Sequence, residues 1–175
     1  FNPIQGGVLR GDTPMQVISG RIDKPTVHFE APPRQSLEGE LQHFIAWFND
    51  SKADVELDPL LRAAITHLWF VTLHPLDDGN GRITRLLTDL ALAQGERLSI
   101  RLYAMSVSIL ERRKSYYEIL EATQKGTMDI TPWLEWFLDT LNATLLSAMQ
   151  TIDQTMAKTN FWRRVDQTQL SSEQV

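Results

Sequence analysis

The sequence predicts a mostly α-helical bundle with one short β-hairpin near its N-terminus. Three observations carry that expectation. Apolar residues recur at helical spacing in stripes between residues 37 and 149. Asp58-Pro59, His74-Pro75, Gly95, Gly126 and Thr131-Pro132 punctuate those stripes as helix starts and stops. The only strand-like segments, residues 15–19 and 26–29, lie in a Gly- and Pro-rich stretch, residues 1–35. A chain of 175 residues, 42% hydrophobic and 22% charged, is long enough for one domain with a sizeable core. Its net charge of −5 argues against a broad nucleic-acid-binding surface. With no cysteine, disulfides and thiolate metal sites are excluded, and a reducing compartment fits. No apolar run approaches a membrane span and no signal-peptide pattern is present. The chain opens on Phe1 and closes in a polar stretch at Val175, so it is expected to be a piece of a longer protein.

The hairpin expectation rests on residues 20–25, Gly-Arg-Ile-Asp-Lys-Pro, which offer turn residues between the two strand segments. Pro32-Pro33 then ends extended structure. Leu37, Leu41, Phe44, Ile45 and Phe48 form an apolar stripe, with Ser36 as its N-cap. Asp58-Pro59 supplies a cap and an N1 proline. Residues 60–73 are apolar almost all round and predict a central buried helix, stopped at His74 because a residue before proline avoids helical geometry. His43 and His67 read as capping or core histidines. A helix follows Gly79-Asn80-Gly81 and runs to about Gln94, ended by Gly95. Ser108 and Glu111 have capping-box spacing and predict one helix from there to Lys125. Thr131-Pro132 starts the last long helix, with Trp133, Leu134, Phe137, Leu138, Leu141, Leu145 and Met149 on its apolar side. The polar tail, residues 159–175, reads as a connector to a further domain, apart from Phe161-Trp162.

Chemistry concentrates in residues 74–85, His-Pro-Leu-Asp-Asp-Gly-Asn-Gly-Arg-Ile-Thr-Arg. A buried helix delivers His74 at its C-terminal end, and a new helix begins after a tight turn. The free N–H groups of a helix start, with its dipole, favour an anion. Glycines at 79 and 81 allow close approach and left-handed geometry, and successive N–H groups form an anion nest. Asn80 adds an amide donor. Arg82 and Arg85 share one helix face, and their guanidiniums match phosphate oxygens. An acid among these cations, Asp78, calls for a cation between it and the phosphates, the usual way Mg²⁺ is held. His74 is the nearby group that titrates near neutral pH and can deprotonate a hydroxyl. These parts add up to Mg²⁺-assisted nucleotidyl or phosphoryl transfer to a hydroxyl.

The run resembles the signature of Fic-domain proteins, His-x-Phe-x-[Asp/Glu]-Gly-Asn-Gly-Arg-x-x-Arg. Gly7-Val8-Leu9-Arg10, residues 16–29, Ala31-Pro32-Pro33, Tyr116-Tyr117 and residues 129–137 also look like parts of that family, so the resemblance covers nearly the whole chain. It implies a Fic-type helical bundle over residues 1–158 with a hairpin flap at about residues 15–30 beside the active-site loop. It also implies a protein adenylyltransferase moving AMP from ATP to a Ser, Thr or Tyr hydroxyl of a target protein, and modifying itself. His74 would be the general base and Asp78 the Mg²⁺ ligand. Gly79, Asn80 and Gly81 would be the anion hole, with Arg82 and Arg85 on the phosphates. Tyr116, Tyr117 and Gln124 would line the adenine pocket. Val17, Ile18 and Ser19 would be the flap that clamps the target backbone by strand addition. Leu76 departs from the family's phenylalanine but stays apolar. Gly81, which differs in a phosphorylating relative, favours AMP transfer.

Many members carry an inhibitory helix with the pattern [Ser/Thr]-x-x-x-Glu-[Gly/Asn]. Ser36 and Glu40 have the spacing, but Leu41 follows and the helix reads as core, so the inhibitory segment is expected before Phe1. Three alternatives stay open: transfer of another phosphate-containing group, removal of AMP, and a non-catalytic regulatory module in which Phe161-Trp162-Arg163-Arg164 docks a neighbouring domain. The expected setting is the cytoplasm of a bacterium, without membrane contact. Exposed apolar residues on the last helix are compatible with a homodimer.

Overall fold

The computed structural model describes residues 7–21, 24–96 and 105–165. The hairpin forms as two antiparallel strands, β1 (Gln16–Arg21) and β2 (Lys24–Glu30), each longer than its sequence signal. Of the predicted turn, Ile22 and Asp23 lie outside the described residues. Val17 pairs with Phe29 and Ile18 with Val27, which leaves His28 as the extra residue of a β-bulge.

Pro33 caps α1 (Arg34–Asp50), so Ser36 is not the N-cap. It lies inside the first turn, where its Oγ donates to the Pro33 carbonyl at 3.0 Å. The helix buries Leu37, Phe44 and Phe48, while Ile45 faces solvent. After a 3-10 turn at Ser51–Ala53, α2 (Pro59–Leu73) begins as the sequence indicates. The Asp58 carboxylate accepts from the N–H groups of Leu60 and Leu61 at 2.8 and 3.3 Å. Ala63, Ala64, Phe70, Val71 and Leu73 of α2 are buried, as are Arg62, Thr66 and His67. Arg62 stacks on Phe48 and donates to Ser51 Oγ and the Phe48 carbonyl, so the buried guanidinium keeps hydrogen-bond partners.

Next comes α3 (Asn80–Glu96), packed along α2. Gly95 lies within it rather than beyond its end, and a Cβ built there would sit 2.5 Å from Pro59 Cβ. The glycine permits two helices to approach; it does not stop one.

The predicted helix from Ser108 is two helices, α4 (Met105–Glu111) and α5 (Arg113–Lys125), offset at Arg112. Ser108 is no cap but a buried mid-helix residue, its Oγ 2.7 Å from Thr144 Oγ1. Gly126 follows α5 as expected. Finally α6 (Thr131–Arg164) spans 34 residues. Trp133 is fully buried and donates from Nε1 to the Ala64 carbonyl at 3.0 Å, fixing α6 against α2. Phe137 and Leu141 continue the buried side, whereas Leu145 and Met149 are exposed. The helix includes Phe161 and Trp162, within the stretch that reads as a polar connector. No helix among the described residues is long and apolar enough to cross a membrane.

Candidate active site

The central helix ends in a left-handed residue. His74 has φ 45° and ψ 54°, and its N–H still bonds the Phe70 carbonyl at 3.1 Å. Pro75 cannot extend the helix, so the chain turns. The N-terminal segment staples this turn in place: Leu9 bridges Leu76, Arg10 N–H donates to the Pro75 carbonyl at 3.0 Å, and Asp77 N–H donates to the Val8 carbonyl at 2.9 Å.

His74 Nδ1 donates to the Val71 carbonyl at 3.3 Å. A carbonyl only accepts, so Nδ1 carries the proton and Nε2 keeps its lone pair. Burial, and then the Arg10 cation, lower the imidazole pKa against the raising effect of the Val71 carbonyl. At neutral pH the ring is therefore an uncharged base.

The turn after His74 is organised by Asn80. Its Oδ1 accepts from Leu76 N–H at 2.8 Å and its Nδ2 donates to the Leu76 carbonyl at 2.7 Å. The residue is buried. Its Oδ1 and one Nδ2 hydrogen are thus committed to the loop, and burial holds the expected extra side-chain donor back from the cavity. What Asn80 can still give a ligand is its main-chain N–H. Gly79 takes φ 91°, a conformation that disfavours side chains, and its carbonyl accepts the first α3 bond, from Ile83 at 2.9 Å. The N–H groups just before Ile83 belong to the open first turn of α3. Asp78 and Arg82 pair with each other at 2.9 Å, both well exposed. Such a pair is worth only about 0–1 kcal/mol, so a phosphate chain can separate it.

A cavity of about 560 Å³ opens beside this turn. His74, Gly81, Arg85, Tyr116, Tyr117 and Gln124 line it, with Val17 from β1. Seven predicted site residues thus share one wall. Asp78, Gly79, Asn80 and Arg82 form the adjoining turn and are not on that wall. Ile18 and Ser19 continue β1 beyond Val17. Glu40 lies on α1 and is not on the cavity wall. Arg85 makes no hydrogen bond or ion pair among the described residues, which leaves its guanidinium available to a ligand.

Tyr116 and Tyr117 play different parts. Tyr117 is half exposed, with the Arg113 guanidinium 5.7 Å from its ring. Tyr116 is buried, and its hydroxyl lies 3.0 Å from His67 Nε2. The direction of that bond follows from the chain behind it. Thr84 donates to the Asn80 carbonyl and Thr88 to the Thr84 carbonyl, each at 2.7 Å. Thr88 Oγ1 must then accept from His67 Nδ1 at 2.9 Å, and Nε2 accepts from the Tyr116 hydroxyl. Burial, followed by Arg85, pushes His67 down to about 3, so it is neutral. Gln124 is held by a hydrogen bond from Nε2 to Thr72 Oγ1 at 3.0 Å.

Several participants are not apparent from the sequence. The bulge aims His28 at α5, where Nδ1 meets Glu121 Oε2 at 2.5 Å and Lys125 reaches the Val27 carbonyl at 3.4 Å. His28, Phe29, Arg113, Lys114 and Glu121 line the cavity. Arg113 and Lys114 stand one helical turn from Tyr116 and Tyr117, the one signal that could have found them. For a metal ion, no three His, Asp or Glu side chains converge among the described residues. The Asp78 carboxylate beside this turn has the chemistry to share an ion that would take its remaining ligands from phosphates and water.

A sequence profile described as the Fic/DOC family matches residues 7–92. Protein adenylyltransferase Fic of Aedes aegypti is 28% identical over 144 residues, 82% of this chain and 25% of that protein. Protein adenylyltransferase fic-1 of Caenorhabditis elegans is 30% identical over 135 residues, 77% of this chain and 23% of that protein. The chain therefore spans about a quarter of these relatives' length. Among solved structures, a Fic family protein from Desulfovibrio desulfuricans G20 superposes with a TM-score of 0.67 at 26% identity, covering 84% of this chain and 42% of that one. A Fic domain containing signaling protein from Bacteroides thetaiotaomicron, at 20% identity and a TM-score of 0.58, covers 86% of this chain and 58% of its own, and shares the fold. On the profile match over residues 7–92, the relatives aligned with most of the chain and the shared fold, this chain belongs to the Fic/DOC family.

Proposed function

We propose that this chain is the catalytic domain of a protein adenylyltransferase, which moves AMP from ATP to a Ser, Thr or Tyr hydroxyl of a target protein and also modifies itself. The observation that carries the reading is His74. Its Nδ1 is committed to Val71, its Nε2 lone pair is free, and its ring shares a cavity with Gly81 and Arg85. A neutral imidazole with one free nitrogen beside an anion-binding helix start is equipped to take a proton from a hydroxyl attacking phosphorus. The hydroxyl oxygen bonds to the α-phosphorus, the bond to the bridging oxygen of pyrophosphate breaks, and the hydroxyl proton passes to His74 Nε2.

Main-chain N–H groups at Gly79, Asn80 and Gly81, with Arg82 and Arg85, receive the phosphate oxygens. Asp78 would hold Mg²⁺, which when bound neutralises phosphate charge. Tyr116, Tyr117 and Gln124 flank the base. Val17, Ile18 and Ser19 on β1 offer a strand edge to the target backbone. Transfer of the α-phosphoryl part is favoured over other groups by the intact Gly79-Asn80-Gly81 turn. The reading places the domain in the cytoplasm of a bacterium, and a cysteine-free sequence is compatible with such a reducing compartment.

The test is labelling of the protein and of lysate proteins with ATP carrying label at the α- or the γ-phosphate. Label from the α position alone is expected, lost on chelation of Mg²⁺ and in His74→Ala with its fold intact. Transfer from the γ position, or undiminished labelling in His74→Ala, refutes the reading.

A further inference from the structure

We infer that Arg10 is a positioning residue for this reaction: its buried guanidinium holds the left-handed turn from which His74 presents its imidazole. The inference rests on the adenylyltransferase reading above. Arg10 is 2% exposed, yet no carboxylate lies within ion-pair reach of it among the described residues. A buried cation without an acid is costly to keep, so its acceptors matter. They are main-chain carbonyls at two places that must stay together. Nε donates to the His74 carbonyl at 3.1 Å, and Nη2 donates to the carbonyl of Pro32, where the hairpin hands over to α1. The backbone of Arg10 adds the bond to the Pro75 carbonyl, and its own carbonyl accepts from Arg34 Nε at 2.8 Å.

His74 is the sole non-glycine residue with positive φ among the described residues. Such a conformation is strained and persists when its surroundings fix it. The fork of Arg10 supplies that constraint, because a charged donor on a carbonyl makes a stronger bond than a neutral one. The same fork, which reaches His74 from 64 residues away, couples the base of the hairpin at Pro32 to the general base.

The positive charge has a second effect, on the imidazole itself, whose protonation it opposes. Other charged groups share the cavity: Arg85 from α3, His28 from β2, and Arg113, Lys114, Glu118 and Glu121 from α5. They remain in place when Arg10 is changed, so a change in the pH profile isolates Arg10.

Labelling kinetics of Arg10→Gln and Arg10→Lys against pH test the inference. In Arg10→Gln, kcat is expected to fall about 10- to 100-fold, as a misplaced base does, with KM for ATP unchanged. Its acid limb is expected to move to higher pH. Arg10→Lys keeps the charge and loses the fork, so kcat falls while the acid limb stays at the wild-type position. Wild-type kcat in both variants, or a loss expressed in KM alone, overturns the inference. Should Arg10→Gln fail to fold, as its melting curve would show, Arg10→Lys decides: reduced kcat on an unmoved acid limb supports it, and wild-type kcat overturns it. If His74→Ala still labels, the adenylyltransferase reading itself has failed, a distinct result.

Discussion

Acidification is expected to destabilise this domain through His67 before the carboxylates are reached. The ring is fully buried, and its pKa falls from the ordinary 6.5 to about 3. The native state therefore excludes a proton that the unfolded chain accepts. A depressed histidine leaves stability intact above pH 6.5 and removes it as pH falls from there toward 3. For a drop from pH 7 to pH 5 the loss is about 2 kcal/mol, and at pH 3 it reaches about 4 kcal/mol. The assay is urea denaturation of wild type and His67→Gln at pH 7, 6 and 5. Glutamine offers an oxygen to the Tyr116 hydroxyl but does not titrate. It starts from a lower stability, having lost the bond to Thr88, yet its stability should change less with pH. His74, whose pKa is also lowered, and Glu38, Glu121 and Asp129, whose carboxyl pKa values are lowered, contribute alike to both proteins. Parallel stability curves from pH 7 to 5 would refute the reasoning.

Two further predictions concern the loop and the helix contact. Asn80→Ala strips both main-chain groups of Leu76 of their partners; because Leu76 is only partly buried, the loss should be about 2–4 kcal/mol, read from the shift in denaturation midpoint, with labelling reduced further. Gly95→Ala should destabilise by about 1–3 kcal/mol, less the ~1 kcal/mol alanine gains in a helix, because its Cβ would meet a proline ring that cannot rotate away; an unchanged melting temperature would contradict the close approach of α2 and α3.

Local signals were legible in the sequence wherever one residue's chemistry decides. Asp58-Pro59 and His74-Pro75 set the two ends of α2, because a cap and a proline act within one turn. The twelve-residue run placed His74, Gly81 and Arg85 on one cavity wall. Two of the misreadings share a cause, which is a partner found far along the chain; a third, at Asn80, arises from a partner only four residues away. Ser108 has the spacing of a cap, but Thr144 of α6 buries it mid-helix. Gly95 has the look of a stop, but Pro59 occupies the space a Cβ would need. Asn80 has the chemistry of an anion donor, but Leu76 takes both ends of its amide. Arg10 and His74 are 64 residues apart, and His67 and Tyr116 are 49 apart. No periodicity or spacing connects such pairs; only the packed helices do.

The staple between residues 8–10 and 75–77 closes a ring of chain that contains the hairpin, α1 and α2. Closing a ring of that size costs entropy that grows only slowly with length, but it is recovered only once every enclosed element is in place. The turn after His74 is therefore expected to be among the last parts of the domain to acquire its shape during folding, and among the first to lose it when the N-terminal segment lifts away. Amide hydrogen exchange at Arg10 and Asp77 should then proceed as one event, and its free energy sets the fraction of folded molecules in which His74 stands ready.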